Sequence, residues 1–244
     1  MSNFPPIYIL SLPGSSRLAH LTDTLNSHKI SYQVVWGVDG REKLPNEYEI
    51  FIDRDVAAAR MGRPMSDGEF ACALSHRNIY ALISENTAPS AIVLEDDADL
   101  SEDFFKIGTS LLTAPCGLLL FDHKNTYVRR KDRIVFHHGI VAHRIALPPF
   151  LATGYMVSRE VAKYLAFQNG PVIQPSDWPD AILKFDSYAC SPRIVSQRNR
   201  SFSTSTLESG RQKQLYRKRK SIRRIFYKTY WRRWIIKRLS HKLA

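Results

Sequence analysis

Ala91-Ile92-Val93-Leu94-Glu95-Asp96-Asp97-Ala98-Asp99 decides how the rest of this chain is read. Ala91 to Leu94 form a short apolar run, which reads as a strand buried on both faces. Four carboxylates then crowd into five positions. Like charges this close repel, so a buried strand does not end on them for packing alone. In an open α/β sheet, the carboxyl end of a central strand is where ligands sit. A hard divalent cation, magnesium or manganese, satisfies such oxygens and usually arrives with phosphates attached. The run therefore points to a metal–diphosphate site. The competing reading is a solvated acidic turn that caps the next helix.

Upstream, Ile7 to Leu12 reads as a first strand, closed by Pro13-Gly14-Ser15-Ser16. Ser15 or Ser16 can cap a helix that aligns Leu18, Leu21 and Leu25 on one face. Ile30 to Trp36 reads as a second strand, turned by Val38-Asp39-Gly40. Such a β-α-β opening implies a parallel pair with a right-handed crossover. Residues 41–64 are irregular and charged, with room for a short helix near Val56–Arg60. Ser66-Asp67-Gly68-Glu69 has the form of a capping box and starts a helix running to about Ser84. Cys72, His76, Ile79 and Ile83 fall on one stripe of it, so His76 reads either as a core histidine or as a site residue.

Downstream, a helix begins near Ser101 and Gly117 to Phe121 is another short buried strand. Tyr127 to Arg129 and Arg133 to Phe136 read as a hairpin around Arg130-Lys131-Asp132. His137, His138 and His143 follow it with no zinc-like spacing. Leu151 to Val157 is a strand whose Thr153-Gly154 implies close backbone approach. A helix opens at Ser158-Arg159-Glu160. Pro175-Ser176-Asp177-Trp178-Pro179-Asp180 is a rigid loop with two carboxylates beside an aromatic ring. Asp in such loops is often a turn former, yet a general base near a sugar needs the same surroundings. Pro192 to Gln197 adds a last strand. Strands and helices alternate to about residue 122, which predicts an α/β domain with a mostly parallel core and later antiparallel additions.

The chain has 244 residues, 44% hydrophobic and 24% charged, which are ordinary globular values. No apolar run reaches membrane-spanning length, and the N-terminus lacks the pattern of a signal peptide. Cys72, Cys116 and Cys190 show no metal or redox spacing, and reduced thiols in a cytosolic protein fit them best.

The net charge of +12 is local. Of the 35 Lys and Arg, 14 lie in residues 211–244, where no Asp or Glu occurs. The remaining 21 face 23 acidic residues, a net −2. Three parts follow: a near-neutral globular domain over 1–200, a Ser/Thr-rich linker over 201–210, and a basic, aromatic tail over 211–244. Tryptophan and tyrosine among lysines and arginines suit an anionic membrane surface. Nucleic acid is the rival partner.

The blocks that carry chemistry occur in a recognisable order. They are Ile7-Tyr8-Ile9-Leu10-Ser11-Leu12 with Arg17, then Trp36-Gly37-Val38-Asp39-Gly40, then Gly68-Glu69-Phe70-Ala71-Cys72-Ala73-Leu74-Ser75-His76. Leu94-Glu95-Asp96-Asp97, Thr153-Gly154-Tyr155-Met156-Val157-Ser158 and Ser176-Asp177-Trp178 follow. Together they resemble glycosyltransferase family 25, the bacterial lipooligosaccharide galactosyltransferases and their relatives. The chain departs from the pattern at Pro13-Gly14-Ser15-Ser16, where relatives often carry Asp and Arg, and in its longer basic tail.

The resemblance implies a GT-A type fold, a UDP-sugar donor (most often UDP-galactose), Mn2+ or Mg2+, a glycan acceptor and inversion at the sugar. Carried over, Asp97 contacts the metal, while Glu95 and Asp96 hold the ribose or a metal-bound water. Arg17, Ser75 and His76 line the donor site. Inversion in one displacement needs a carboxylate base on the acceptor hydroxyl. Asp177 is the first candidate and Asp180 the second. The expectation is an inverting hexosyltransferase of lipopolysaccharide assembly, cytoplasmic and peripheral on the inner face of the bacterial inner membrane. A protein acceptor, as in eukaryotic relatives, and a nucleic-acid-binding role for the tail are the alternatives.

Overall fold

A computed structural model of the chain describes residues 3–136, 139–167, 170–198 and 228–243. A nine-stranded sheet runs through it. The first three strands by position in the chain are β1 (Ile7–Ser11), β2 (Gln33–Trp36) and β3 (Ser90–Glu95). β1 pairs in parallel with both β2 and β3. β8 (Gly154–Ser158) inserts antiparallel between β3 and β5 (Leu118–Leu120). β9 (Ser187–Ser191) then pairs in parallel with β5. β7 (Val141–Leu147), β6 (Tyr127–Val135) and β11 (His241–Lys242) extend the far side by antiparallel steps. Followed across these pairings, β1, β2, β3, β5, β6 and β9 point one way and β7, β8 and β11 the other. This is the α/β, predominantly one-way sheet expected from the sequence.

Strand alternation builds two apolar layers. Ile7, Ile9, Ile92 and Leu94 face one side with α1 (Leu18–Ser27), α4 (Glu102–Lys106) and α5 (Gly108–Leu111). Tyr8, Leu10, Ala91 and Val93 face the other with α3 (Asp67–Glu85) and α6 (Arg159–Phe167). Burying Ile92, Val93 and Leu94 completely makes β3 a central strand, at about 1.5–3 kcal/mol for each large side chain. A third cluster, including Val38, Leu44, Phe70 and Leu74, roofs one end of α3. It is closed by a 3-10 segment over Asn46–Phe51 and by α2 (Arg54–Met61).

α3 begins as its sequence requires. The Ser66 side chain accepts from the Glu69 N–H, and Glu69 accepts from the Ser66 N–H. Buried Glu69 is also gripped by Arg63 at 2.6 Å and 2.7 Å.

Three local expectations are corrected. α1 starts at Leu18 behind Arg17, with no serine side chain capping it; Ser15 instead accepts from the Arg17 N–H. Residues 127–135 are one strand whose antiparallel partner is β7, so Arg130-Lys131-Asp132 is a bulged stretch and not a hairpin turn. The strand read over Leu151–Val157 starts only at Gly154. Leu151 itself has a φ of 80°, a left-handed conformation that a strand does not contain.

The 201–210 linker, most of the basic tail, and His137 and His138 lie outside the described residues. Within the tail, α7 (Lys228–Leu239) leads into β11, which pairs with β6 through His241–Val128 and Lys242–Tyr127.

Candidate active site

β1 and β3 end side by side, and their carboxyl ends open onto a cavity of about 420 Å³. Ser11, Arg17, Gly37, Cys72, Ser75, Glu95, Asp96 and Asp97 are among its lining residues. Glu95, Asp96 and Asp97 therefore form part of a cavity wall, while Asp99, the last carboxylate of the run, is exposed beside His20. Asp96 and Asp97 are both buried. Backbone pairing holds the turn, with the Asp96 N–H donating to the Leu10 carbonyl and the Glu95 N–H to that of Thr153. Immediately after it, β4 (Ala98–Leu100) pairs with β10 (Val195–Gln197), and this carries Gln197 back to Asp97.

Arg17 clamps the two aspartates, its guanidinium 2.6 Å from Asp96 Oδ1 and 3.1 Å from Asp97 Oδ2. Ser11 donates to Asp96 Oδ2 at 2.8 Å and Gln197 to Asp97 Oδ2 at 3.0 Å. Asp97 Oδ1 is buried with no hydrogen-bond partner among the described residues. Burial, with the Glu95 charge, pushes the Asp97 carboxyl up to about 7, against the pull of Arg17 and Gln197. A buried oxygen without a partner, on a carboxylate that gives up its proton reluctantly, fits a cation ligand.

The other wall comes from α3. Ser75 is buried, donates to the Ala71 carbonyl at 2.7 Å and accepts from the Val38 N–H at 2.8 Å. This ties the loop after β2 to the helix. Only a residue without a Cβ lets them meet. A Cβ on Gly37 would fall 2.8 Å from Ser75 Oγ, and one on Gly40 would fall 2.6 Å from Ala71 Cβ. Gly154 answers the same need on β8, where a Cβ would meet Val195 at 2.8 Å.

His76, one turn beyond Cys72, is fully buried and, against the expectation that it lines the donor site with Arg17 and Ser75, faces a second cavity instead of this one. Its Nε2 lies 3.0 Å from Glu95 Oε1 and its Nδ1 2.9 Å from the Tyr155 hydroxyl. Burial alone would lower the imidazole pKa, yet the thiol of Cys72 and the carboxylate of Glu95 raise it to about 10. His76 is thus placed to orient Glu95. Cys72, His76 and Glu95 also form the grouped ligand set among the described residues, with donor atoms within 4.8 Å of one another. A thiol and an imidazole suit a softer metal than the manganese or magnesium expected at Asp97.

Asp177 and Asp180 are not in this cavity. They line a second one, of about 330 Å³, together with His76, Arg77, Tyr80 and Trp178. Asp177 Oδ1 accepts from the Leu151 N–H at 3.2 Å, and the Trp178 indole donates to the Leu151 carbonyl at 2.7 Å. The two cavities meet across α3, where Cys72 Sγ lies 3.3 Å from Ser176 Oγ. His143, on β7, stands opposite Arg133 of β6 in the sheet.

Sequence reasoning gives no role to Ser11 and Tyr155, although both fall within the quoted blocks, and none to Gln197. Each supports a carboxylate or its partner from a distant part of the chain, and no local pattern announces such a pairing.

The sequence model of a family described as "Glycosyltransferase family 25 (LPS biosynthesis protein)" matches residues 4–178. Among curated proteins, the chain is 29% identical over 172 residues to procollagen galactosyltransferase 1-A of Xenopus laevis, covering 67% of this chain and 28% of that one. It is 31% identical over 107 residues to procollagen galactosyltransferase 1 of Danio rerio, covering 42% and 18%. The chain thus spans well under a third of the length of these relatives. Among solved structures, A197 from STIV aligns at a TM-score of 0.38 and 15% identity, over 81% of this chain and 96% of that one.

Proposed function

The chain belongs to glycosyltransferase family 25, and from that premise we propose that it is an inverting, metal-assisted hexosyltransferase. By this reading it moves a hexose, galactose first among the candidates, from a UDP-sugar to a lipooligosaccharide or lipopolysaccharide glycan. The observation that carries the reading is Asp97 Oδ1, buried without a hydrogen-bond partner among the described residues at the ends of two parallel strands.

A divalent cation held by Asp97 would neutralise charge on the departing diphosphate. The remaining roles belong to the chain's own residues. Arg17, held by both aspartates and partly exposed at the cavity wall, supplies positive charge where the diphosphate would sit. Glu95, oriented by His76, presents a carboxylate to the ribose or to a metal-bound water. The acceptor hydroxyl attacks the anomeric carbon as the bond to the diphosphate oxygen breaks. Its proton passes to a carboxylate, for which Asp177 is our choice and Asp180 the second. The second cavity sets Asp177 beside Tyr80 and Trp178, aromatic surfaces of the kind that pack against a sugar ring.

The test is UDP release by the purified protein from each UDP-sugar, with manganese and again with chelator. Release from one donor that requires the metal and is lost in Asp97→Asn is the expected result. Release unaffected by chelator or by Asp97→Asn would overturn the metal assignment. No release from any donor, even with a glycolipid acceptor present, would overturn the activity.

A further inference from the structure

α7 is a twelve-residue helix whose composition does not suit a protein core. Lys228, Arg232, Arg233, Lys237 and Arg238 are distributed along it. Tyr230, Trp231, Trp234, Ile235 and Leu239 are large apolar side chains left 40–71% exposed. Trp231 stacks edge-on against Tyr230 and Trp234, with centroids 5.6 Å and 5.8 Å apart, so the three rings form one patch.

The helix is fixed to the body at its far end. Lys237 sits 5.1 Å over the Tyr127 ring, β11 pairs with β6, and buried Leu243 donates its N–H to the Thr126 carbonyl. β6 continues from that point into Arg129, Arg130, Lys131 and Arg133, all exposed. Asp132, the acid among them, is engaged by Arg129 at 3.5 Å and Arg144 at 3.9 Å. A basic strand edge and a basic, aromatic helix are thus joined by one two-residue ladder.

We propose that α7 and the exposed basic stretch of β6 together form a docking surface for an anionic lipid bilayer. The described part of the helix, about 18 Å long, carries Arg232, Arg233, Lys237 and Arg238 among its aromatic rings, a mixture that suits the interface and not the bilayer interior. Tryptophan and tyrosine settle at headgroup depth, and lysine and arginine pair with anionic headgroups. Ile235 and Leu239 separate this partner from nucleic acid. Aliphatic side chains gain by entering acyl chains but offer no face on which a base stacks.

The experiment sediments the full chain with vesicles of phosphatidylcholine alone and of phosphatidylcholine with phosphatidylglycerol. Binding is expected only to the anionic vesicles, weakening as salt rises. Two pairs of exposed substitutions test the composite surface, with circular dichroism confirming that each variant is folded. Trp231→Ala with Trp234→Ala removes the aromatic anchor. Arg130→Glu with Lys131→Glu removes the strand's charge, and at about fivefold per basic residue it weakens binding roughly twentyfold or more. Both pairs are expected to lose binding. Loss in only one pair overturns the shared surface. Equal binding to neutral vesicles, or none to either, overturns the bilayer. Displacement from vesicles by a single-stranded oligonucleotide at low concentration assigns the surface to nucleic acid instead.

Discussion

His76 on α3 and Glu95 at the tip of β3 meet at 3.0 Å, the imidazole fully buried and the carboxylate about a quarter exposed. The pair joins the helix that begins at a capping box to the strand that ends in the acidic run. Tyr155, behind the imidazole, brings in β8. One buried side chain thereby sets the position of a cavity carboxylate through three elements.

Stability should depend on pH through this pair. The imidazole titrates near 6.5 when unfolded and near 10 when folded. Its contribution is complete below about 6.5 and is lost as pH rises toward 10, by at most about 1.4 kcal/mol per pH unit. Urea denaturation from pH 6.5 to 10 should show this decline in the parent protein and a flatter profile in His76→Gln. Equal slopes in the two proteins would show that His76 is not charged in the folded state.

Asp97→Asn should stabilise the metal-free protein while abolishing metal-dependent donor turnover. The carboxyl is held up near 7 by burial and by Glu95, so its charged form is disfavoured at neutral pH. A neutral isostere relieves this by about 1–3 kcal/mol, and the folded protein gains most above pH 7. Thermal unfolding in chelator at pH 8 would read the gain; a lower melting temperature would contradict it.

Asp177→Asn should lower kcat by a factor of about 10²–10⁴ with little change in donor KM, because a positioned base acts in the transition state. Asparagine keeps the oxygen that accepts from the Leu151 N–H, so folding should be unchanged. Full activity in this variant would pass the role of base to Asp180, where the same substitution decides.

Gly40→Ala should separate the loop after β2 from α3. Its Cβ would fall 2.6 Å from Ala71 Cβ and 2.7 Å from the Asp67 carbonyl oxygen. The expected cost is about 1–3 kcal/mol in chemical denaturation, with a raised donor KM because the loop lines the cavity. Alanine at Gly139, where φ is 77° and no atom lies within 4 Å of an added Cβ, separates backbone strain from crowding.

The sheet's first half was legible because its signals are local. Ile7 to Ser11 and Ala91 to Glu95 announce themselves as apolar runs, and Ser66 with Glu69 marks the start of a helix within four residues. Gly154 was read correctly as a point of close approach, although the partner, Val195, could not be. The bulged strand over 127–135 misled because Arg130-Lys131-Asp132 has turn-like composition, while its pairing is decided by β7 downstream. Ser11 and Gln197 take no role from the sequence because polar residues at strand ends are common. Only the fold shows that they reach Asp96 and Asp97.

The place of β9 bears on how much chain this sheet needs. The family match ends at residue 178, yet β9 occupies 187–191 and stands between β5 and β7. A piece ending with the match would lose an interior slat and leave β6 and β7 with no strand joining them to the rest. It would also lack Gln197, one of the supports of Asp97. The smallest self-sufficient unit therefore extends at least through β10, and sequence similarity alone sets its limit too early.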